Sequence, residues 1–215
     1  MSRSTIKNRQ LAIKVCGMKH NTLAVAASKP EYLGFIFYEN SARNYTDAPI
    51  TLPSTIKKVG VFVDAPISYV ATTAAKHQLD VLQLHGEESS DYIVTLKKSL
   101  VKKCAIWKVF SVQNTFNFEA LKTFEPHVQG FLFDTKGEKK GGNGQTFNWS
   151  LLNKYPSNTP IILSGGIGIA EISAIKKLAT THLPIHAIDI NSKFEIAPGL
   201  KDTEQIDAFI KQVNH

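Results

Sequence analysis

A thiol and three charged side chains carry the sharpest chemistry in this chain. Cys16 follows Lys14 by two residues, so in an extended strand the two side chains leave the same face. An ammonium beside a thiol favours the thiolate and lowers its pKa from the usual value of about 8.5, which suits a general base or a nucleophile. The alternative is a buried cysteine serving as a small hydrophobe. Cys104 opens a later apolar run, toward the opposite end of its strand, and reads as that hydrophobe. Asp134 closes the run Gly130-Phe131-Leu132-Phe133-Asp134. Aromatic surface beside a carboxyl disfavours the anion and makes the group a proton donor; a helix cap or a loop salt bridge is the alternative. The stretch Lys139-Lys140-Gly141-Gly142-Asn143-Gly144 follows, suited to closing over a ligand. It lacks the spacing and the Gly-Lys-Ser/Thr ending of a nucleotide phosphate loop.

A second set of residues suits anions. Gly165-Gly166 and Asn191-Ser192 follow the last two apolar runs. Glycine lets backbone N–H groups approach a phosphate closely. Arg43 is a candidate for a second anion such as a carboxylate, gripped bidentately, or else an exposed surface arginine. His85 either positions substrate or is a satisfied polar residue. Lys14, Asp134 and Asp189 are candidates to converge on a polar substrate, because charges facing a core are costly unless paired or used.

These residues need a frame. Short β-rich runs recur at 11–15, 32–37, 57–63, 80–84, 104–110, 129–133, 160–163 and 186–190. Between them, 21–28, 66–77, 88–100, 170–179 and 202–213 read as helices. Eight such units predict an α/β fold, a single (β/α)8 TIM barrel over residues 11–215, with an open doubly wound sheet as the alternative. Residues 1–10 read as a flexible extension. In a barrel the chemistry sits at the C-terminal ends of the strands, which is where every candidate above falls. Alternation places Lys14 and Cys16 inward on the first strand, Gln83 and His85 on the fourth and Asp189 on the eighth. On the third strand it is read as Val59, Val61 and Val63 toward the helices, and Lys58, Gly60, Phe62 and Asp64 inward.

Composition narrows the class. Across 215 residues, 43% hydrophobic and 20% charged content argues for a globular chain rather than disorder. No apolar run approaches the roughly 18 residues of a membrane span, and the polar, basic start is unlike a secretory signal, so a cytoplasmic protein with no membrane partner is expected. Two cysteines cannot frame a disulfide scaffold, and no metal-ligand spacing occurs. The net charge of +7 is spread along the chain, which favours a small phosphorylated substrate over a nucleic acid. No long exposed apolar surface stands out, favouring a monomer.

Taken in order, several segments resemble phosphoribosylanthranilate isomerase of tryptophan biosynthesis. They are Lys14-Val15-Cys16-Gly17, Gly34-Phe35-Ile36-Phe37 with Ser41-Ala42-Arg43, and Val59-Gly60-Val61-Phe62-Val63. Next come Gln83-Leu84-His85-Gly86-Glu87, Asp134 with Gly141-Gly142-Asn143-Gly144 and Phe147-Asn148-Trp149, and Ser164-Gly165-Gly166-Ile167. The last are Asp189-Ile190-Asn191-Ser192 through Glu195 and Pro198-Gly199-Leu200-Lys201-Asp202. The resemblance spans nearly the whole chain. It implies an enzyme with no metal or organic cofactor that performs an Amadori rearrangement. It also implies Cys16 as general base, Asp134 as general acid, Arg43 at the anthranilate carboxylate, and Gly165-Gly166 with Asn191-Ser192 as phosphate loops. Ala42, Asn44, Asn143, Ser164 and Lys193 depart from the family pattern, and Lys193 bears on the phosphate loop. A sugar-phosphate epimerase lacks its His and Asp ligands here, and indole-glycerol-phosphate synthase offers no role for Cys16. A non-catalytic anion-binding protein needs neither Cys16 nor Asp134.

Overall fold

Valine, isoleucine and phenylalanine dominate the apolar runs, and such side chains fill a pleated surface buried on both faces. The computed structural model describes residues 10–135 and 146–214; all but the last residue of the extension expected at 1–10, and the glycine-rich stretch at 139–144, lie outside them. The strands are β1 (Ala12–Val15), β2 (Tyr32–Ile36), β3 (Lys57–Phe62), β4 (Val81–Leu84), β5 (Ala105–Val112), β6 (Gly130–Thr135), β7 (Ile161–Leu163) and β8 (Ile185–Ile190). Each pairs in parallel with the next, and β8 closes on β1 with Lys14 level with Asp189. This is the expected (β/α)8 barrel.

Helix α1 (Thr22–Ala27) follows β1, α2 (Ile67–His77) follows β3, α3 (Ser90–Ser99) follows β4, α4 (Ile172–Ala179) follows β7 and α5 (Thr203–Asn214) ends the described chain. Their caps are legible locally. Ser89 Oγ accepts from the Tyr92 N–H at the start of α3, and Asp202 Oδ1 accepts from the Gln205 N–H at the start of α5. Between β8 and α5 a small antiparallel hairpin intervenes, β9 (Glu195–Ala197) and β10 (Leu200–Lys201).

Among the described residues no α-helix follows β5 or β6. The chain makes 3-10 turns at Phe118–Leu121, Glu125–His127 and Trp149–Lys154. Rings cover the barrel wall there: Phe110, Phe116, Phe118, Phe124, Phe131, Phe133 and Tyr155 interlock at centroid distances of 5.1 to 6.4 Å. Large rings cover more wall per residue than a helix face does, which helps 215 residues close a fold that usually takes about 250.

The core has two parts. An outer cluster, including Ile13, Val15, Leu82, Leu84, Ile188 and Ile190, fills the space between strands and helices. An inner cluster fills the lower barrel with Tyr32, Val59, Val81, Trp107, Val109, Leu132, Ile162 and Ala187. The expected alternation holds on β1, β4 and β8. On β3 it is reversed. Val59 lies in the inner cluster, Val61 is level with the inward Gln83, and Val61 and Val63 line the cavity above, while Phe62 packs with the outer cluster. A valine series is as much at home in a barrel interior as under helices, because branched residues dominate both.

Candidate active site

The C-terminal ends of the strands surround a cavity of about 500 Å³. Cys16, Arg43, His85, Asp134, Gly165, Gly166, Asp189, Asn191 and Ser192 all line it. Lys14 does not; it lies fully buried just beneath, its Nζ 2.7 Å from Asp189 Oδ1. The pairing follows from register, since β1 and β8 are neighbours. Ser164, the residue after β7, donates to the other oxygen, Asp189 Oδ2, at 3.1 Å. Gly34 on β2 makes room for this arrangement: a Cβ there would come within 3.0 Å of Cys16 Sγ and 3.1 Å of Lys14 Cε.

Electrostatics correct one expectation. The Cys16 thiol is held above its ordinary pKa, not below it. Burial is the main cause; Lys14 pulls the other way by charge and hydrogen bond, and the Asp189 carboxylate opposes the thiolate. Burial also works against the Lys14 ammonium, but Asp189 and Cys16 outweigh it and hold its pKa above the usual lysine value. Lys14 thus remains charged at neutral pH beside a largely protonated thiol.

Asp134 sits within β6, one residue before its end, on the side of the cavity formed by β6. Its Oδ1 accepts from the Thr135 N–H at 2.9 Å, and its Oδ2 lies 3.5 Å from His85 Nε2. Phe133, whose ring was expected beside it, packs instead with the outer cluster. A polar partner takes that place. His85 Nδ1 in turn meets Gln83 Nε2 at 3.4 Å, and the buried Gln83 Oε1 has no hydrogen-bond partner among the described residues. Gln83 was legible as inward-facing but not as part of the site.

Gly165 and Gly166 both adopt positive φ, +90° and +63°, turning the chain sharply at the end of β7. At Gly165 a Cβ would collide with Thr135, so β6 and β7 approach closely beneath the loop. Asn191 and Ser192, after the neighbouring strand β8, line the same cavity. Lys193 does not line the cavity; its Nζ lies 3.5 Å from Glu171 Oε2 and its stem packs over Gly168.

Arg43, on the long connection between β2 and β3, is engaged by Glu195. Its Nε donates to both carboxylate oxygens at 2.9 and 3.0 Å, and Nη2 donates to Oε2 at 2.6 Å. That contact raises the Arg43 pKa further. Burial pushes Glu195 up, but Arg43 and Lys201 prevail and hold it below the usual carboxylate range. Glu195 and Lys201 are the other residues that sequence reasoning left without a role. They were visible only as members of the resembling segments. Among the described residues no group of three or more His, Cys, Asp or Glu is placed to hold a metal ion. No helix there is long and apolar enough to cross a membrane.

Comparison with known proteins agrees with this geometry. Residues 13–212 match the family model described as N-(5'phosphoribosyl)anthranilate (PRA) isomerase. An N-(5'-phosphoribosyl)anthranilate isomerase from Parabacteroides distasonis is 41% identical over 213 residues, covering 95% of this chain and 94% of the relative. A phosphoribosyl anthranilate isomerase solved in complex with reduced 1-(o-carboxyphenylamino)-1-deoxyribulose 5-phosphate is 27% identical at a TM-score of 0.73, covering 94% of this chain and 98% of that one. A structure of monomers generated from the dimeric enzyme of Thermotoga maritima is 26% identical at a TM-score of 0.71, with the same coverage. A match over nearly all of the barrel, with the polar groups gathered at one mouth, leaves a single assignment: this chain belongs to the phosphoribosylanthranilate isomerase family.

Proposed function

We propose that this chain converts N-(5-phosphoribosyl)anthranilate to 1-(2-carboxyphenylamino)-1-deoxyribulose 5-phosphate, with Cys16 as general base and Asp134 as general acid. The observation that carries the reading is that a thiol just after β1 and a carboxyl on β6 open into the same cavity, the thiol beside Lys14 and the carboxyl beside His85. Asp134 protonates the furanose ring oxygen, and the ring opens to a Schiff base. The Cys16 thiolate then removes the proton on C2 of the sugar, giving an enolamine that tautomerises to the ketone. An aldose-to-ketose shift of this kind needs one acid and one base with separate environments. Lys14 steadies the thiolate, and Asp189, held by Ser164, steadies Lys14. His85 orients the Asp134 carboxyl. The loops at Gly165-Gly166 and Asn191-Ser192 take the phosphate, and Arg43 takes the anthranilate carboxylate. The product analogue bound by the related enzyme carries both anions, which supports this division. We place the protein in the cytoplasm as a monomer, which light scattering at the mass of one chain would test.

The direct test is loss of substrate fluorescence with the purified protein. Asp134→Asn keeps the shape and removes the proton. Turnover should fall by about a hundredfold or more, while binding of the reduced product analogue changes little. If affinity falls and turnover does not, Asp134 is a binding group and the acid must be sought elsewhere.

A further inference from the structure

Resting on the reaction above, we propose that Glu195 is a positioning residue for Arg43, fixing which edge of the guanidinium meets the carboxylate of the substrate's aromatic ring and so setting the anion selectivity of that end of the cavity. Arg43 is carried by a connection without a helix, and an unrestrained arginine side chain samples many rotamers. Three features remove that freedom. The stem crosses Gly17, where a Cβ would come within 2.7 Å of Arg43 Cδ. The side edge of the guanidinium, Nε with Nη2, is taken by Glu195. Glu195 itself cannot follow a moving partner, because its Oε1 also accepts from Lys201 Nζ at 2.8 Å and the Gly199 N–H at 3.0 Å.

Lys201 is anchored in turn. Its Nζ donates to Asn191 Oδ1 at 2.7 Å, and Asn21 bonds its backbone N–H and carbonyl at 3.0 and 2.8 Å. The order of constraint therefore runs from β10 to Glu195 on β9 and then to Arg43. With the side edge occupied, the end edge, Nη1 with Nη2, is left to receive a second carboxylate as a planar, two-bond pair. Charge agrees with this role. Two cations and one carboxylate leave a single positive charge, matched to a single incoming carboxylate.

A purely architectural Glu195 would tie the β9–β10 hairpin to the barrel and nothing more. Selectivity separates the two roles. Two ligands are compared: the reduced product analogue and the same molecule with the ring carboxylate replaced by hydrogen. The ratio of their Kd values reads carboxylate selectivity. For Glu195→Gln that ratio should fall by about tenfold, the scale of a charge-assisted pair losing its geometry, with KM rising more than kcat falls. Lys201→Met removes one of the restraints on Glu195 Oε1 but leaves the Arg43 contacts; it should lower Tm and lower the ratio by less than Glu195→Gln does. If Glu195→Gln does not fold, the double variant Glu195→Gln/Lys201→Met, which removes the second cation too, should fold and show the same loss. Wild-type selectivity in a folded Glu195→Gln or double variant overturns the proposal. So does an equal loss in Lys201→Met, which would assign the effect to the hairpin. A wild-type protein that fails to turn over phosphoribosylanthranilate would instead overturn the reaction itself.

Discussion

Two tiers of the same barrel interior differ in character, and at five of the strands a step of two residues separates them. Ala12 gives way to Lys14 on β1, Val81 to Gln83 on β4, Leu132 to Asp134 on β6, Ile162 to Ser164 just past the end of β7, and Ala187 to Asp189 on β8. The lower tier needs only volume and shape. The upper tier holds charges that burial penalises, so each is tied to another: Lys14 and Ser164 to Asp189, His85 to Asp134. Stability and chemistry are thus assigned to different heights of one structure, which allows them to be altered separately.

The sharpest way to break that division is at the thiols. Cys16→Ser should lower kcat by at least about a hundredfold with little change in Tm, whereas Cys104→Ser, outside the cavity and donating to the Leu79 carbonyl, should leave kcat intact and act on stability alone. Equal activity of Cys16→Ser and wild type would remove the upper tier's base. Leu132→Ala probes the lower tier. It should destabilise by about 2–5 kcal/mol, the range for such cavities, without changing kcat below the unfolding transition. A proportionate fall in kcat would show the tiers to be coupled.

Smaller effects should appear in the pH dependence of kcat/KM. In the proposed reaction the thiolate is the base, and burial holds the Cys16 pKa above its ordinary value, so activity should rise with pH beyond neutrality. Lys14 stabilises that anion and Asp189 opposes it. Lys14→Met should therefore move the rising limb to higher pH, and Asp189→Asn should move it to lower pH. A displacement of one pKa unit would change activity on the limb by about tenfold. Shifts in the same direction in both variants would mean that charge at the thiol is not what they alter.

Much of this was legible from single residues. Strand positions, the inward set on β1, β4 and β8, and the gathering of Cys16, Asp134, Gly165-Gly166 and Asn191-Ser192 at one end all follow from spacing. The facing of β3 was not, because Val59 and Val61 are apolar in either direction and only their register with Val81 and Gln83 decides. The thiol pKa was misjudged because the nearest charge, Lys14, is two residues away, whereas the opposing Asp189 is 175 residues from Lys14 in the chain and burial has no local sign. The Arg43–Glu195 pair, 152 residues apart, is invisible for the same reason. Contacts between neighbours in sequence can be read locally; contacts made by closing the barrel cannot.

The wall covered by aromatic rings has a consequence for how the barrel opens. Short 3-10 turns have poorer hydrogen-bond geometry than α-helices, so among the described residues between β5 and β7 the outer layer is held by side-chain packing more than by backbone bonds. Native-state amide exchange should divide the circumference accordingly. Amides of 118–127 and 149–154 should exchange through small local openings, while those of α2 and α3 should wait for larger ones. The seam through which this closed cylinder first admits water would then lie beside β6, the strand that carries Asp134.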